Sequence, residues 1–319
     1  MAAPAVGQQW TGSATPGRGR LNRAMRQHFW PYLFISPFFL LFAVFGLFPY
    51  LYAFFLSFND WNGINPMTWV GVENYRTLLS DDIWWKSVYN SVWLMIASSL
   101  NLVIALILAF ILNSGLVRMR EGFRAAFFLP VIASSVAVSM IFVSLFGFRY
   151  GTLNYLLGTI GIDRIDWLKD ATWIKPAIAM VAIWRAFGWN TVIYLAGLQS
   201  IPTDLYEAAR VDGAGWRQVF RHITLPLMRP VITFTAILTI IGALQMFEEP
   251  LIIAGGAAYS SASPGGTDQA GLTVMVNLYN TAFSYVKFGY AAAMSVALFV
   301  IILTFSLIYN RVFGGDATD

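Results

Sequence analysis

Cysteine is absent from this 319-residue chain, so disulfides, thiolate nucleophiles and iron–sulfur clusters are excluded. Histidine is nearly absent. His28 and His222 are the only two, and neither has a second His or Cys at a metal-binding spacing. Charge is scarce as well: 11% of the residues are Asp, Glu, Lys or Arg, where soluble domains carry about 25%. No G-x-x-x-x-G-K-[ST] occurs, so the chain has no P-loop of its own. H-E-x-x-H and G-x-S-x-G are missing too. A hydrolase working inside a bilayer needs a nucleophile with a base, or a metal with its ligands, and this chain carries neither. The expectation is a protein that is not an enzyme and binds no metal or cofactor. A net charge of +4 is too small to point to nucleic acid.

What is present is apolar surface, with 58% hydrophobic and 16% aromatic residues. A helix needs roughly 20 apolar residues to cross the hydrocarbon core. Six stretches qualify, approximately 32–58, 88–112, 123–148, 173–198, 230–254 and 288–312. Pro37 and Pro49 should bend the first. The expected fold is an all-α membrane protein of six transmembrane helices. Lys and Arg gather on the cytoplasmic side of such proteins. One side of this arrangement carries Arg18, Arg20, Arg23, Arg26, Arg118, Arg120, Arg124, Arg210, Arg217, Arg221, Arg229 and Arg311. The other has the smaller set Arg76, Lys86, Arg149, Arg164, Lys169, Lys175 and Lys287. Both termini and the 200–229 connection are therefore expected in the cytoplasm. Residues 1–31 read as a disordered basic tail able to contact anionic lipid, 32–312 as the membrane domain, and 313–319 as a second tail. Trp84, Trp85 and Trp173 stand where an interfacial aromatic belt would lie. Asp163, Asp166 and Asp170 in DRIDWLKD read as a solvated helix face rather than calcium ligands.

Between two of the apolar runs lies DLYEAARVDGAGWRQVFRHITLPLMRP, residues 204–230. Pro202 and Thr203 should start a helix, with Asp204 and Glu207 favoured at its positive end. Leu205, Ala208 and Ala209 share a face, and Gly213 should stop the helix. A second short helix is expected over 216–223, ended by Pro226 before the next span. Geometry alone leaves an ordinary interfacial connector as an equal alternative.

The residue pattern adds to this. Glu207-Ala208-Ala209, Gly213, Ile223, Leu225 and Pro226 reproduce E-A-A-x-x-x-G, nine residues, I-x-L-P. That pattern resembles the signature of ABC-importer permeases, most closely the maltose- and glycerol-phosphate-type carbohydrate permeases. The likeness extends over most of 30–312, through VGVENYRTLLSDDIWWKSVYNS, FRAAFFLPVIASSV, LAGLQSIPTDLYEAARVDGA and FGYAAAMSVALFVI. It implies that Glu207, Ala208, Ala209, Asp212, Gly213, Ile223, Leu225 and Pro226 form a cytoplasmic coupling helix and its exit. It also implies a bacterial or archaeal cytoplasmic membrane and a set of partners. These are a second permease subunit, two copies of a P-loop ATPase that hold ATP-Mg, and an extracytoplasmic sugar-binding protein. The chain departs from the family pattern at Gly255-Gly256-Ala257, where members commonly show Gly-Gly-Pro, and in a longer Gly/Ser-rich loop over 255–271.

Charges within spans complete the reading. Arg185 falls near the middle of the fourth and Glu248 in the outer half of the fifth, where each should face a cavity or a partner. Arg185, Asn190, Tyr194, Gln245 and Glu248 are the candidate substrate path, with Trp184 and Trp189 as further faces for sugar rings. The alternative is that Arg185 and Glu248 pair with each other or with the second permease, and that the aromatics face lipid. An ion-gradient-driven secondary carrier using Glu248 and Arg185 is the other functional class. It needs no docking loop, and inverted repeats are not evident.

Overall fold

In a computed structural model the described residues are 31–114, 119–255 and 264–314. The tail over 1–30, residues 115–118 with Arg118, residues 256–263 of the Gly/Ser-rich loop and residues 315–319 lie outside them. The chain divides into two units, Met1–Ala53 and Phe54–Asp319.

The first long helix, α1, runs Pro31–Leu56 and widens to a π turn over Phe42–Leu47. Pro49 has no N–H and its ring crowds the carbonyl four residues back, and a π turn relieves both problems. The Phe48 N–H accordingly donates to Ala43 O, five residues back. The bend expected at the prolines is thus a change of helical register.

In the second unit a two-residue ribbon, β1 (Asn59–Asp60) with β2 (Thr68–Trp69), precedes helix α2 (Glu73–Ser80). The long helix α3 follows over Asp82–Asn113. Its N-cap is Asp81, which accepts from the Ile83 and Trp84 N–H groups at 2.9 and 3.3 Å. Capping starts the helix before the apolar run begins, so Trp84 is buried in the core and does not join an interfacial belt.

The third span is broken. Helices α4 (Arg120–Ile132) and α5 (Ser135–Leu145) meet at 96°. Pro130 cannot donate to the turn before it, Ala133 takes an extended conformation, and Ser134 Oγ caps the new helix at Ala137 N. A short helix α6 (Thr152–Thr159) leads to α7 (Ala171–Gln199), N-capped by Asp170 at 2.8 Å from Thr172 N. Asp163 and Asp166 precede α7 in loop and turn, so the three carboxylates share no helix face. No cluster of metal-ligating side chains forms among the described residues.

Helix α8 spans Thr203–Val211, and α9 runs unbroken over Trp216–Leu244. Pro226 therefore does not separate a short helix from the fifth span. A π turn over Phe220–Thr224 carries the helix past it. The fifth span instead begins early and breaks at Gln245–Phe247, after which α10 covers Glu248–Gly255. Helix α11 (Val274–Tyr279) ends in a π turn, and α12 runs Phe288–Phe313. Among the described residues five helices are long and apolar enough to cross a membrane, and six if the bent α4–α5 pair is counted as one span.

Helix α7 is the centre of this unit, packing on α3, α4, α9 and α10. Its buried face is largely small or branched: Ile174, Ala177, Ile178, Val181, Gly188 and Leu195. At Gly188 the backbones nearly touch, and a Cβ there would lie 1.7 Å from Phe127 O of α4. Small residues permit such crossings in lipid, where packing rather than water exclusion drives association. Gly188→Ala should force the two helices apart and lower stability by about 1–3 kcal/mol. Gly242→Ala, with nothing within 4 Å of the added methyl, should be nearly neutral. Thermal denaturation of the two variants in detergent checks the contrast.

Candidate functional site

A cavity of about 430 Å³ opens where α3, α4, α7, α9 and α10 converge. Helix α7 contributes Arg185, Trp189 and Asn190, α3 contributes Ser98 and Asn101, and the α9–α10 break contributes Gln245, Met246, Glu248 and Glu249. Helix α7 reaches it because of its close crossing with α4. The break exposes polar groups because α9 stops at Leu244, leaving Gln245 as its C-cap.

The cavity's cation is paired. Arg185 Nη1 bonds Glu249 Oε1, and the two side chains are 24% and 8% exposed. Insertion scales put an unpaired charge at mid-membrane at about 2.5–3.5 kcal/mol, so pairing is expected. The partner differs from the one anticipated. The carboxylate bonded to Arg185 is Glu249, while Glu248 lines the cavity without an ion pair among the described residues. The Arg185 Nε is buried without a hydrogen-bond partner.

A second polar element crosses from α7 to α3. Asn190 Nδ2 donates to Asn101 Oδ1 at 2.5 Å, and Asn101 Nδ2 donates to Ser98 O at 2.6 Å. These amides are buried in apolar surroundings and satisfy each other, a requirement at this depth. Trp189 leans on Phe128, with ring centroids 5.8 Å apart, and lines the cavity; Trp184 packs on Phe142 instead.

Of the five residues expected along a path, Arg185, Asn190, Gln245 and Glu248 meet here and Tyr194 does not. Tyr194 is 1% exposed, packed among Ala105, Ala109 and Met228, with its hydroxyl accepting from Thr235 Oγ1 at 2.8 Å. It joins α7 to α9. Sequence reasoning missed Asn101 and Glu249. Asn101 is signalled by being an amide within a long apolar run. The choice between Glu248 and Glu249 depends on the helix break and has no signal in the sequence.

The loop between α7 and α9 forms the second feature. Helix α8 ends in a paired turn: the Gly213 N–H donates to Arg210 O at 3.1 Å and the Ala214 N–H to Ala209 O at 2.9 Å. Gly213 takes φ +73°, a conformation that side chains with a Cβ disfavour. Ala209 is buried, whereas Leu205, Glu207, Ala208, Val211 and Asp212 are exposed. Tyr206 reaches Thr224 at 3.2 Å, Phe220 packs edge-on against Phe110 of α3, and Arg229 Nε donates to Phe313 O of α12 at 2.7 Å. Ile223 is half-buried, and Leu225 and Pro226 are exposed where the π turn gives way to regular helix. The segment is thus fixed to α3, α9 and α12, with its own outward face uncovered among the described residues.

Residues 102–313 match the family described as binding-protein-dependent transport system inner membrane component. The chain belongs to that family. It is a multi-pass inner-membrane permease component without catalytic residues. Similar proteins include the arabinooligosaccharides transport system permease protein AraP of Bacillus subtilis (strain 168). That protein is 35% identical over 290 residues, which is 89% of this chain and 88% of AraP. The lactose transport system permease protein LacF of Rhizobium radiobacter is 35% identical over 302 residues, covering 93% of this chain and 98% of LacF. In fold, the permease resembles a bacterial ABC transporter chain involved in import of the acidic polysaccharide alginate. The TM-score is 0.76, with 22% identity, 94% of this chain covered and 100% of that one.

Because Tyr194 packs between helices and does not line the cavity, Tyr194→Phe should cost about 1 kcal/mol of stability, the value of one hydrogen bond. Solute transport per folded permease should stay at the parent level. Thermal denaturation paired with uptake normalised to folded protein checks this.

Proposed function

We propose that this permease is one of two membrane subunits of an ATP-driven sugar importer. The observation that carries the reading is the exposed, rigidly capped α8 at the base of an unbroken α9. The relatives named for arabinooligosaccharides and lactose support carbohydrate as the cargo. A cavity bearing amides, a carboxylate and a tryptophan suits hydroxyl-rich rings. The resemblance of the 207–226 pattern to the family signature supports a coupling role for Glu207, Ala208, Ala209, Asp212, Gly213, Ile223, Leu225 and Pro226.

In this reading α8 faces the cytoplasm and sits in a groove of an ATPase subunit, with the second ATPase copy on the partner permease. Arginines on the loop and tails favour that orientation. Closure of the ATPase pair around ATP-Mg moves α8. The 29 residues of α9, at 1.5 Å each, then act as a rod of about 43 Å leading from the docking site to the cavity. Movement at one end displaces Gly242, Gln245 and the α10 break at the other. An extracytoplasmic binding protein delivers sugar to the outward-facing state. ATP shifts the equilibrium because the ATPase contacts differ between the two states.

Proteoliposomes holding the whole complex, with its binding protein, should accumulate a neutral oligosaccharide with ATP inside and not under a proton or sodium gradient alone. Uptake driven by the gradient without ATP would instead establish a secondary carrier. Gly213→Pro cannot adopt φ +73° and removes the N–H bonded to Arg210 O, while Glu207→Lys reverses an exposed charge. Both should abolish ATP-driven uptake while leaving membrane insertion intact. Uptake at the parent rate in either would refute the coupling role.

A further inference from the structure

Three ion pairs occur among the described residues. Arg76–Glu73 and Arg124–Glu121 each lie one turn apart on a single helix. Arg185–Glu249 alone is mostly buried and joins two elements far apart in sequence. Its setting makes it mechanically distinctive. Helix α10 starts after a three-residue break in the fifth span, and it packs on α5, which itself lies beyond a 96° bend. Neither neighbour passes a continuous hydrogen-bond ladder to α10. Its position relative to α7 therefore depends on side chains: Ile253 and Ala254 share a buried cluster with Ile174, Ala177 and Ile178, and Arg185–Glu249 is the one ion pair between the two helices among the described residues.

We infer that Glu249 is the positioning residue of the transport path: by holding the Arg185 guanidinium it ties α10 to α7 and leaves Glu248 to the cavity. This rests on the importer reading above. Two adjacent carboxylates occupy the first turn of α10, where the helix dipole favours them, and among the described residues Arg185 is the one guanidinium in the cavity lining they share. Glu249 takes it and is buried; Glu248 does not and remains in the cavity lining. Arg185 retains a buried, unpartnered Nε beside the same cavity, so its bonding capacity is not used up by Glu249. A buried pair contributes little net stability compared with apolar residues of the same shape. What it supplies is one geometry: a fixed guanidinium, a fixed α10 and, of the two carboxylates lining the cavity, Glu248 as the one without an ion pair among the described residues.

The test uses the whole importer in proteoliposomes with ATP inside, offered radiolabelled arabino-oligosaccharide and lactose, with Glu249→Gln, Glu249→Asp and the exchanged pair Arg185→Glu/Glu249→Arg. Because the chain has no native cysteine, spin labels at Ile183→Cys and Ile252→Cys report the α7–α10 distance in the same proteins. Glu249→Gln should lower sugar moved per ATP hydrolysed by roughly tenfold or more and broaden that distance distribution. Glu249→Asp should recover part of the ratio, and the exchanged pair should restore a single narrow distance. A purely structural role would lower the yield of assembled complex and would not be rescued by exchange. The inference is overturned if Glu249→Gln keeps the parent ratio with a narrow distance, or if exchange restores neither. If the parent complex takes up neither sugar with ATP, the importer reading for these cargoes fails, while the distance measurement still decides the α7–α10 tie.

Discussion

A polar group that this chain places at membrane depth must find its partner within the protein or line a cavity, because hydrocarbon offers none. That constraint explains the arrangement around α7. The amides of Asn190 and Asn101 satisfy each other, the Arg185 charge meets Glu249, and the Tyr194 hydroxyl accepts from Thr235. Each of these bonds links α7 to a different neighbour: α3, α10 and α9. The same groups that must be satisfied thus also determine which helices are held together. The close crossing at Gly188 brings α4 in without any polar bond.

Rigid and interrupted helices divide the work. Helix α9 stays continuous from Trp216 to Leu244 despite Pro226 and Pro230, and its π turn absorbs the irregularity without a break. Directly beyond it, the chain breaks at Gln245–Phe247, and the third span breaks at Ala133–Ser134. The two segments following these breaks, α5 and α10, pack on each other. A continuous helix ending where the hydrogen-bond ladder is interrupted would concentrate a displacement there, and the cavity sits at that point. Hinges are commonly a few residues at the ends of elements that absorb large backbone changes.

Much of this was legible in the sequence, for identifiable reasons. Apolar runs near 20 residues set the spans, and the fourth and sixth, expected at 173–198 and 288–312, appear as Ala171–Gln199 and Phe288–Phe313. The position of α8 followed from Pro202, Asp204 and Gly213, whose preferences are local. The misjudged features depend on tertiary context. Pro226 was read as a terminator, yet a π turn lets the helix continue. The third span was read as one helix, because Pro130 can either kink a membrane helix or break it. Glu248 and Glu249 are adjacent in sequence, and only the start of α10 after the break assigns one to Arg185 and the other to the cavity. Tyr194 reads from the sequence as an aromatic face for a sugar ring on the path, but it packs toward Thr235 and Met228 of α9.

Coupling through α8 is tested most directly at Ala208, a coupling-helix residue exposed on α8 and close in size to cysteine. With Ala208→Cys in this cysteine-free chain, a short thiol cross-linker is applied to native membranes, and the captured partner is identified by mass spectrometry. The expected capture is a P-loop ATPase subunit, with cross-linking that changes in yield when ATP is added. Capture of the second permease alone, or of nothing while the complex remains intact, would contradict it.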